Sequence, residues 1–397
     1  MKIYIVTYVP FPCGGMATTN RIKCYAKALN NASANCEILI YRRTVKATNS
    51  SPKKSAHGTY HGVPYHYIGN TSVRSKYKIL RKYNDWNDKK RLLKYLQESL
   101  CPNDIVFMYI IDDTAYERSI INVVHKCKAK VGLELCELPY LADEVNGDKK
   151  REHMNTSVLS QIDFIIPISR TLENYARPFL RKNAKVIRIP ILVDLTKKIS
   201  LNIHKKTDVP YIFHSGSLYE RKDGILGMLK AFGIARLQLG FQIKFISTGR
   251  IDESPHRIDI LNIIQEYHMQ DDVIFTGYLS DEDLSTYLSN ASFVIINKYR
   301  SLQNKYCFST KLGEYMAASK PIVLTDFGEA IYWLKDGVSA KIIEAGNNDQ
   351  LVDAIVWMFT HPIEAKILGD NARKVCEDSF DYRLYGQKML QQLNFNL

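Results

Sequence analysis

The chain has 397 residues, 46% of them hydrophobic, and a formal net charge of +13. That length exceeds one ordinary core and suits two domains of roughly 150–200 residues each, and the apolar fraction excludes a disordered chain. Of the 54 Lys and Arg, 31 fall in residues 1–195, against 17 of the 41 Asp and Glu, so the excess charge belongs to the first half. The eight cysteines include no CxxC and no Cys/His spacing of a zinc site, which points to free buried thiols in a reducing compartment. The opening MKIYIVTYVPFP carries one lysine, a short apolar run and no cleavage-site pattern, and no stretch nears the ~20 apolar residues of a spanning helix. A cytoplasmic protein is expected.

In chain order, residues 2–9 form a β-branched and aromatic run of buried-strand type. A Gly14-Gly15 turn, a helical pattern and a strand at 36–42 follow, which together make a βαβ unit. Residues 46–80 lack clean periodicity and read as an irregular excursion. A helix near 86–99 leads to strands at 104–111, 129–135, 163–169 and 184–191, with helices between them. The polar segment 196–210 ends in Pro210 and reads as a linker. A second α/β alternation follows, with strands at 211–217, 241–248, 272–278, 292–298, 320–326 and 340–345 before terminal helices. Ligands of such sheets sit beyond the carboxyl ends of the strands.

Two loops of the second half suit an anionic diphosphate. Gly216-Ser217-Leu-Tyr-Glu-Arg221-Lys222-Asp-Gly224 is a strand-end turn entering a helix, where Arg221 or Lys222 neutralises phosphate oxygens. An ordinary surface turn explains the same residues. In Ser309-Thr310-Lys311-Leu312-Gly313-Glu314, the serine and threonine are candidate helix caps and the free amides form an anion site. Glu314 in the first turn can accept two hydroxyl hydrogen bonds, as from a ribose diol, or serve the helix dipole alone.

These two segments, with Val273–Leu279 and Lys320–Gly328, occur in an order that resembles the donor domain of the retaining family 4 glycosyltransferases. Gly14, Gly15, Asn20 and Arg21, and the Ile189–Asp194 exit, extend the resemblance over nearly the whole chain. It implies an α/β protein of GT-B fold: two Rossmann-like doubly wound domains facing across a cleft. Residues 1–195 would bind acceptor, 211–380 the nucleotide-sugar donor, and 381–397 would hold a helix crossing back to the first domain.

Carried over by residue, the resemblance gives Lys222 the donor diphosphate; Arg221, a second catalytic candidate, is the cation placed to supply the charge that Ser217 lacks. Glu314 takes the ribose hydroxyls, the amides near Lys311–Gly313 the pyrophosphate, and Gly277, Tyr278 and Leu279 the base. Gly14 and Gly15 fall on the sugar or acceptor side. The chain departs from the family in three places. Ser217 stands where a basic residue is usual. Tyr306 stands where a glutamate normally contacts the sugar. Tyr109, Asp112 and Asp113 occupy the region of a frequent histidine. Glu137 and His153 are acceptor-side candidates for which a structural role carries more weight.

The implied activity is metal-independent transfer of a sugar from a nucleotide-diphosphate-sugar to a glycan or lipid-linked acceptor, in cell-surface polysaccharide synthesis and without a cofactor. A non-catalytic nucleotide-sugar-binding protein and a nucleotide-sugar epimerase are the alternatives. Between Arg42 and Lys94 lie fourteen basic residues and only two acids, Asp85 and Asp88, interleaved with aromatics. Such a surface suits an anionic membrane at the inner face, and a plain solvated face is the competing reading. No nucleic-acid partner is expected.

Overall fold

The structure, a computed structural model, describes residues 1–14, 17–46, 56–109, 111, 113–196 and 207–395. Gly15 and Asp112 lie outside the described residues, as does most of the expected linker. The chain divides into two compact units, Met1–Leu192 with Tyr382–Leu397, and Val193–Asp381.

The first unit is built on strands β1 (Ile3–Thr7), β2 (Cys36–Ile40), β3 (Val45–Lys46), β4 (His57–Tyr60), β5 (Val63–Tyr67), β6 (Val73–Arg74), β7 (Ile105–Tyr109), β8 (Lys130–Leu135), β9 (Phe164–Pro167) and β10 (Lys185–Val186). Eight of them form one sheet in the order β10-β9-β8-β7-β1-β2-β5-β4, and β3 pairs with β6. Every residue of β1 and β7 is buried, as a central parallel strand covered on both faces requires. Helices α1 (Ala17–Asn31), α2 (Lys78–Ser99), α3 (Thr114–Lys126), α4 (Gly147–Met154) and α5 (Arg170–Ala176) complete the alternation.

Residues 47–55 of the expected irregular excursion lie outside the described residues, and residues 56–80 are not the irregular stretch that their lack of periodicity implies. Strands β4 and β5 pair as an antiparallel hairpin, and β5 adds in parallel to β2. His61 and Gly62, with φ of 45° and 82°, form its two-residue turn, the positive-φ pair that matches strand twist. The signal was masked because Tyr, His and Thr alternate with little contrast in polarity. Helix α2 also begins at Lys78, eight residues before the expected start.

One buried ion pair ties this unit together. The Arg21 guanidinium on α1 meets the Glu134 carboxylate of β8, and both side chains are nearly inaccessible. Arg21 also donates to Pro190 O at 2.5 Å, Ile189 O at 2.9 Å and the Tyr25 hydroxyl at 2.8 Å. The Ile189-Pro190 exit is therefore held by α1, and Arg21 serves packing. The last helix, α14 (Gly386–Leu393), packs on α1, buries Met389 and Leu393 in this unit's core, and accepts from Lys185 Nζ at Gln392 O at 3.0 Å.

The second unit has β11 (Tyr211–His214), β12 (Lys244–Ser247), β13 (Val273–Phe275), β14 (Phe293–Ile296), β15 (Ile322–Thr325) and β16 (Lys341–Ile343), all parallel, in the order β13-β12-β11-β14-β15-β16. Its helices are α6 (Glu220–Asp223), α7 (Ile225–Leu239), α8 (Arg257–Glu266), α9 (Asp281–Asn290), α10 (Leu302–Tyr306), α11 (Thr310–Ala317), α12 (Asn348–Thr360) and α13 (Pro362–Ser379). The cysteines are unbonded, but Cys13 and Cys101 are exposed, so the expectation of uniformly buried thiols fails at two positions.

Replacing Arg21 with Met leaves the buried Glu134 carboxyl without its cation, with the Tyr25 hydroxyl still donating to it at 2.9 Å. A loss of about 3–5 kcal/mol is expected in chemical denaturation, much of it recovered in the Arg21→Met/Glu134→Leu double variant.

Candidate functional site

Each sheet reverses its direction of growth once. In the second unit the chain builds β11, β12 and β13 to one side, then returns to add β14, β15 and β16 on the other. The loops after β11 and β14 diverge there, and the crevice beyond their carboxyl ends is the usual ligand position of an open α/β sheet. The Gly216–Gly224 turn follows β11, and Asn297-Lys298 follows β14. In the first unit the corresponding point lies between β1 and β7.

The turn after β11 is fixed by long-range partners. The Ser215 amide donates to the Tyr315 hydroxyl at 2.9 Å, and the Gly216 amide to Thr248 Oγ1 at 3.0 Å. Asp223, buried at 3% exposure, is the centre of the site. Lys311 Nζ donates to its Oδ1 at 2.8 Å, Lys298 Nζ to the same oxygen at 3.2 Å, and Ser217 Oγ to Oδ2 at 3.1 Å. Burial disfavours the Asp223 carboxylate, but Lys311 and Lys298 outweigh it and hold its pKa well below the ordinary range. Burial lowers the pKa of Lys311, and Asp223 opposes that shift.

A Cβ on residue 216 would lie 2.1 Å from Lys311 Nζ, so a side chain here would push the Lys311 ammonium from its place beside Asp223. Lys311, expected beside a diphosphate, already has a carboxylate partner. Lys222 is exposed on α6, its carbonyl accepts from Lys298 Nζ at 2.5 Å, and Arg221 beside it is exposed too. The turn, Lys222, Lys298 and Lys311 are thus gathered at one crevice.

Helix α11 begins at Thr310. Ser309 holds the N-cap position, but its side chain makes no capping bond, contrary to the expectation for Ser309 and Thr310. The Leu312 amide bonds Ser309 O at 3.2 Å, whereas the Thr310 and Lys311 amides have by position no intrahelical acceptor. Glu314 is exposed, while Leu312 and Gly313 are buried, and Gly313 O meets the Cys376 thiol of α13 at 3.8 Å. Gly313 therefore faces packing. Tyr278 is 83% exposed in the loop after β13, near Gly277 and a half-buried Leu279, and the Arg250 guanidinium lies 5.9 Å from its ring centre. Tyr306 ends α10 and is half-buried.

In the first unit, Gly14 is exposed after β1, and its carbonyl accepts from Lys23 Nζ at 3.1 Å. Glu137 is exposed just beyond β8, and His153 is exposed on α4. Tyr109 is buried and donates to Thr18 O at 2.9 Å, while Asp113 caps α3 and pairs with Lys89 at 2.5 Å. Both have structural partners.

Sequence reasoning missed Asp223, Lys298, Thr248 and Tyr315, whose partners lie 32 to 100 residues away. It also missed Asn304, whose buried Oδ1 has no partner among the described residues although its amide donates to Tyr299 O at 3.1 Å. Only the acid inside the Arg221–Gly224 run was visible as a signal.

His214, at the end of β11, is buried beside Ser247 Oγ at 3.2 Å. Burial, reinforced by Lys311, pushes its pKa from 6.5 to about 3. The unfolded chain therefore binds a proton near 6.5 that the folded chain refuses until about 3. Between those values the unfolded state holds more protons, so the contribution is complete above 6.5 and lost as pH falls. In urea titrations through this window, His214→Phe is expected to reduce the pH slope of unfolding free energy by up to one proton, about 1.4 kcal/mol per pH unit. An unchanged slope would show that His214 is not responsible.

Residues 196–375 match the family model of glycosyl transferases group 1. No curated protein sequence matches the chain. Among solved structures it is similar to sucrose-phosphate synthase from Thermosynechococcus elongatus, with TM-score 0.69 and 16% identity over 98% of each chain. It is similar also to Anabaena HepE in complex with UDP, with TM-score 0.70 and 14% identity over 99% of each chain. A glycosyltransferase from Rickettsia africae gives TM-score 0.69 and 16% identity over 99% of this chain and 98% of that one. At these identities the likeness is one of fold. Residues 196–375 thus resemble the group 1 glycosyltransferases, and the fold of the chain is GT-B.

Proposed function

We propose that the chain transfers a sugar from a nucleoside-diphosphate-sugar bound by the second unit to a glycan or lipid-linked acceptor bound by the first, with retention of configuration. The observation that carries this reading is the crevice at the β11/β14 switch point, where Lys222, Lys298 and Lys311 gather beside the Gly216 turn in a group 1 domain. HepE was solved with UDP, and an E. coli trehalose-6-phosphate protein of the same fold was solved with UDP-2-fluoro glucose, which supports a nucleotide-sugar donor.

In this reading the bond between the anomeric carbon and the diphosphate breaks, an acceptor hydroxyl bonds to the same face of that carbon, and its proton passes to the leaving phosphate. Lys222, with Arg221 beside it, stabilises the charge that develops on the diphosphate, and no metal or cofactor is required. The amides of Thr310 and Lys311 add to that field, and Ser309 lies beside them. Glu314 takes the ribose diol, and the Gly277–Leu279 loop lies along the base. Tyr306 shapes the sugar pocket in place of a carboxylate. Gly14 and Glu137 fall on the acceptor side.

The role is synthesis of a cell-surface polysaccharide, with the basic first unit facing an anionic membrane from the cytoplasm. Among the described residues no helix is long and apolar enough to cross a membrane. A non-catalytic nucleotide-sugar-binding protein remains the second reading, favoured by Ser217, whose hydroxyl donates to Asp223 where the family resemblance implies a cation.

Thermal stabilisation and turnover across UDP-, GDP- and ADP-sugars separate the two. Stabilisation by one nucleotide class with turnover on an acceptor extract is expected; stabilisation without turnover supports the binding protein, and no stabilisation by any nucleotide defeats the donor site. Lys222→Ala should lower kcat/KM by about 10²–10³ without changing the melting temperature, since its side chain is exposed. Unchanged turnover would take Lys222 out of the mechanism.

A further inference from the structure

The first unit carries a basic site that donor chemistry does not use. Arg42 and Arg43 follow the carboxyl end of β2, Arg74 ends β6, and Lys78, Arg81 and Lys82 come from the first turns of α2. Together they line one open depression of about 330 Å³. Arg43 grips the buried Asp88 carboxylate at 2.9 and 3.2 Å, and Arg42 lies 3.4 Å from Asp85. Arg74, Lys78, Arg81 and Lys82 have no carboxylate partner among the described residues, and the sequence holds no acid between Glu37 and Asp85.

The helix phase makes this arrangement unusual. Lys78, Arg81, Lys82 and Asp85 share one face at helical spacing, and the same face continues to Leu92 and Leu96, which are fully buried. The core-facing side of α2 thus turns from apolar to cationic where the helix passes over the depression. Cations gathered there repel one another, and an anion in the depression relieves that repulsion.

The neighbouring face is apolar and uncovered. Ile79, Tyr83 and Trp86 follow one another at helical spacing with 82%, 57% and 54% exposure, and Leu80 adjoins them at 49%. Lys90 Nζ sits 3.6 Å from the Trp86 ring centre. Exposed aromatics beside lysines match the bilayer interface, where ring bodies enter the headgroup layer and cations meet phosphates. A soluble sugar phosphate has nothing to place on this stripe.

We propose that this depression is a docking site for the phosphorylated headgroup of an anionic membrane lipid. The phosphate sits among Arg74, Arg81 and Lys82, while Ile79, Leu80, Tyr83 and Trp86 enter the interfacial layer. The proposal names residues for the membrane-facing side of the reading above and rests on that reading, but its test needs neither donor nor turnover.

The full chain is to be co-sedimented, without donor, with phosphatidylcholine vesicles containing or lacking phosphatidylglycerol, at low and high salt. Binding is expected only with phosphatidylglycerol and should weaken as salt rises. The Arg74→Gln/Arg81→Gln/Lys82→Gln variant should bind about a hundredfold more weakly, roughly fivefold per charge removed. Tyr83→Ser/Trp86→Ser should also weaken binding but keep the salt dependence, and thermal unfolding should show both variants folded.

Equal binding to neutral vesicles, or wild-type binding by the triple variant, would overturn the proposal. So would a depression that takes inorganic pyrophosphate or an RNA oligonucleotide while ignoring vesicles. Lys222→Ala should bind vesicles as wild type does. Lost vesicle binding with turnover intact therefore sinks the lipid site alone, and retained vesicle binding with no nucleotide response sinks the donor reading alone.

Discussion

A single buried carboxylate organises the second unit's crevice. Asp223 would be costly to bury alone, and it stays ionised because two lysines and a serine hydroxyl meet it within 3.2 Å. Those partners come from α11, from the end of β14 and from the turn after β11, so satisfying one charge fixes three separate segments against each other. Gly216 borders the same pair, and the Lys311 ammonium occupies the space next to its Cα. The crevice keeps a local excess of positive charge, with Asp223 countering Lys298 and Lys311 while Lys222 and Arg221 stand exposed beside it.

The first unit solves a related problem in another place. Arg21 and Glu134 are both buried, and the guanidinium also meets two carbonyls and a tyrosine hydroxyl. Planar, multidentate hydrogen bonding is what lets an arginine be buried at all. The interaction joins α1, β8 and the segment 189–190, so the motif that leaves this unit is held by its first helix. In both units a long-range ionic contact decides where a backbone segment near the switch point lies.

The distribution of charge divides the chain by chemistry. The second unit sets its lysines around a carboxylate at the strand ends, while the first gathers cations on the overhanging end of α2, beside exposed aromatics. Local pairing differs accordingly, since Arg43 meets a buried aspartate but its neighbours across the depression do not. The same net charge therefore has a structural part and a surface part.

Periodicity and turn chemistry by themselves determined the α/β alternation, the two-domain organisation and the glycine turn after β11, because apolar runs and glycine breaks are local signals. Glu314 lies in a helix, as its spacing predicts, but beyond the first turn where it was expected, and Lys222 lies in the short helix α6 where a turn was expected. Periodicity did not disclose the hairpin at 57–67, whose alternation is weak in polarity, or the early start of α2, whose first turns are charged and aromatic. Only the tertiary structure decided that Arg21 is a clamp, that Tyr109 holds Thr18, and that Lys311 is held by Asp223 across 88 residues. A side chain's partner depends on which strands lie adjacent after folding, and sheet order is set by packing of the whole unit and is not encoded in any short window of residues.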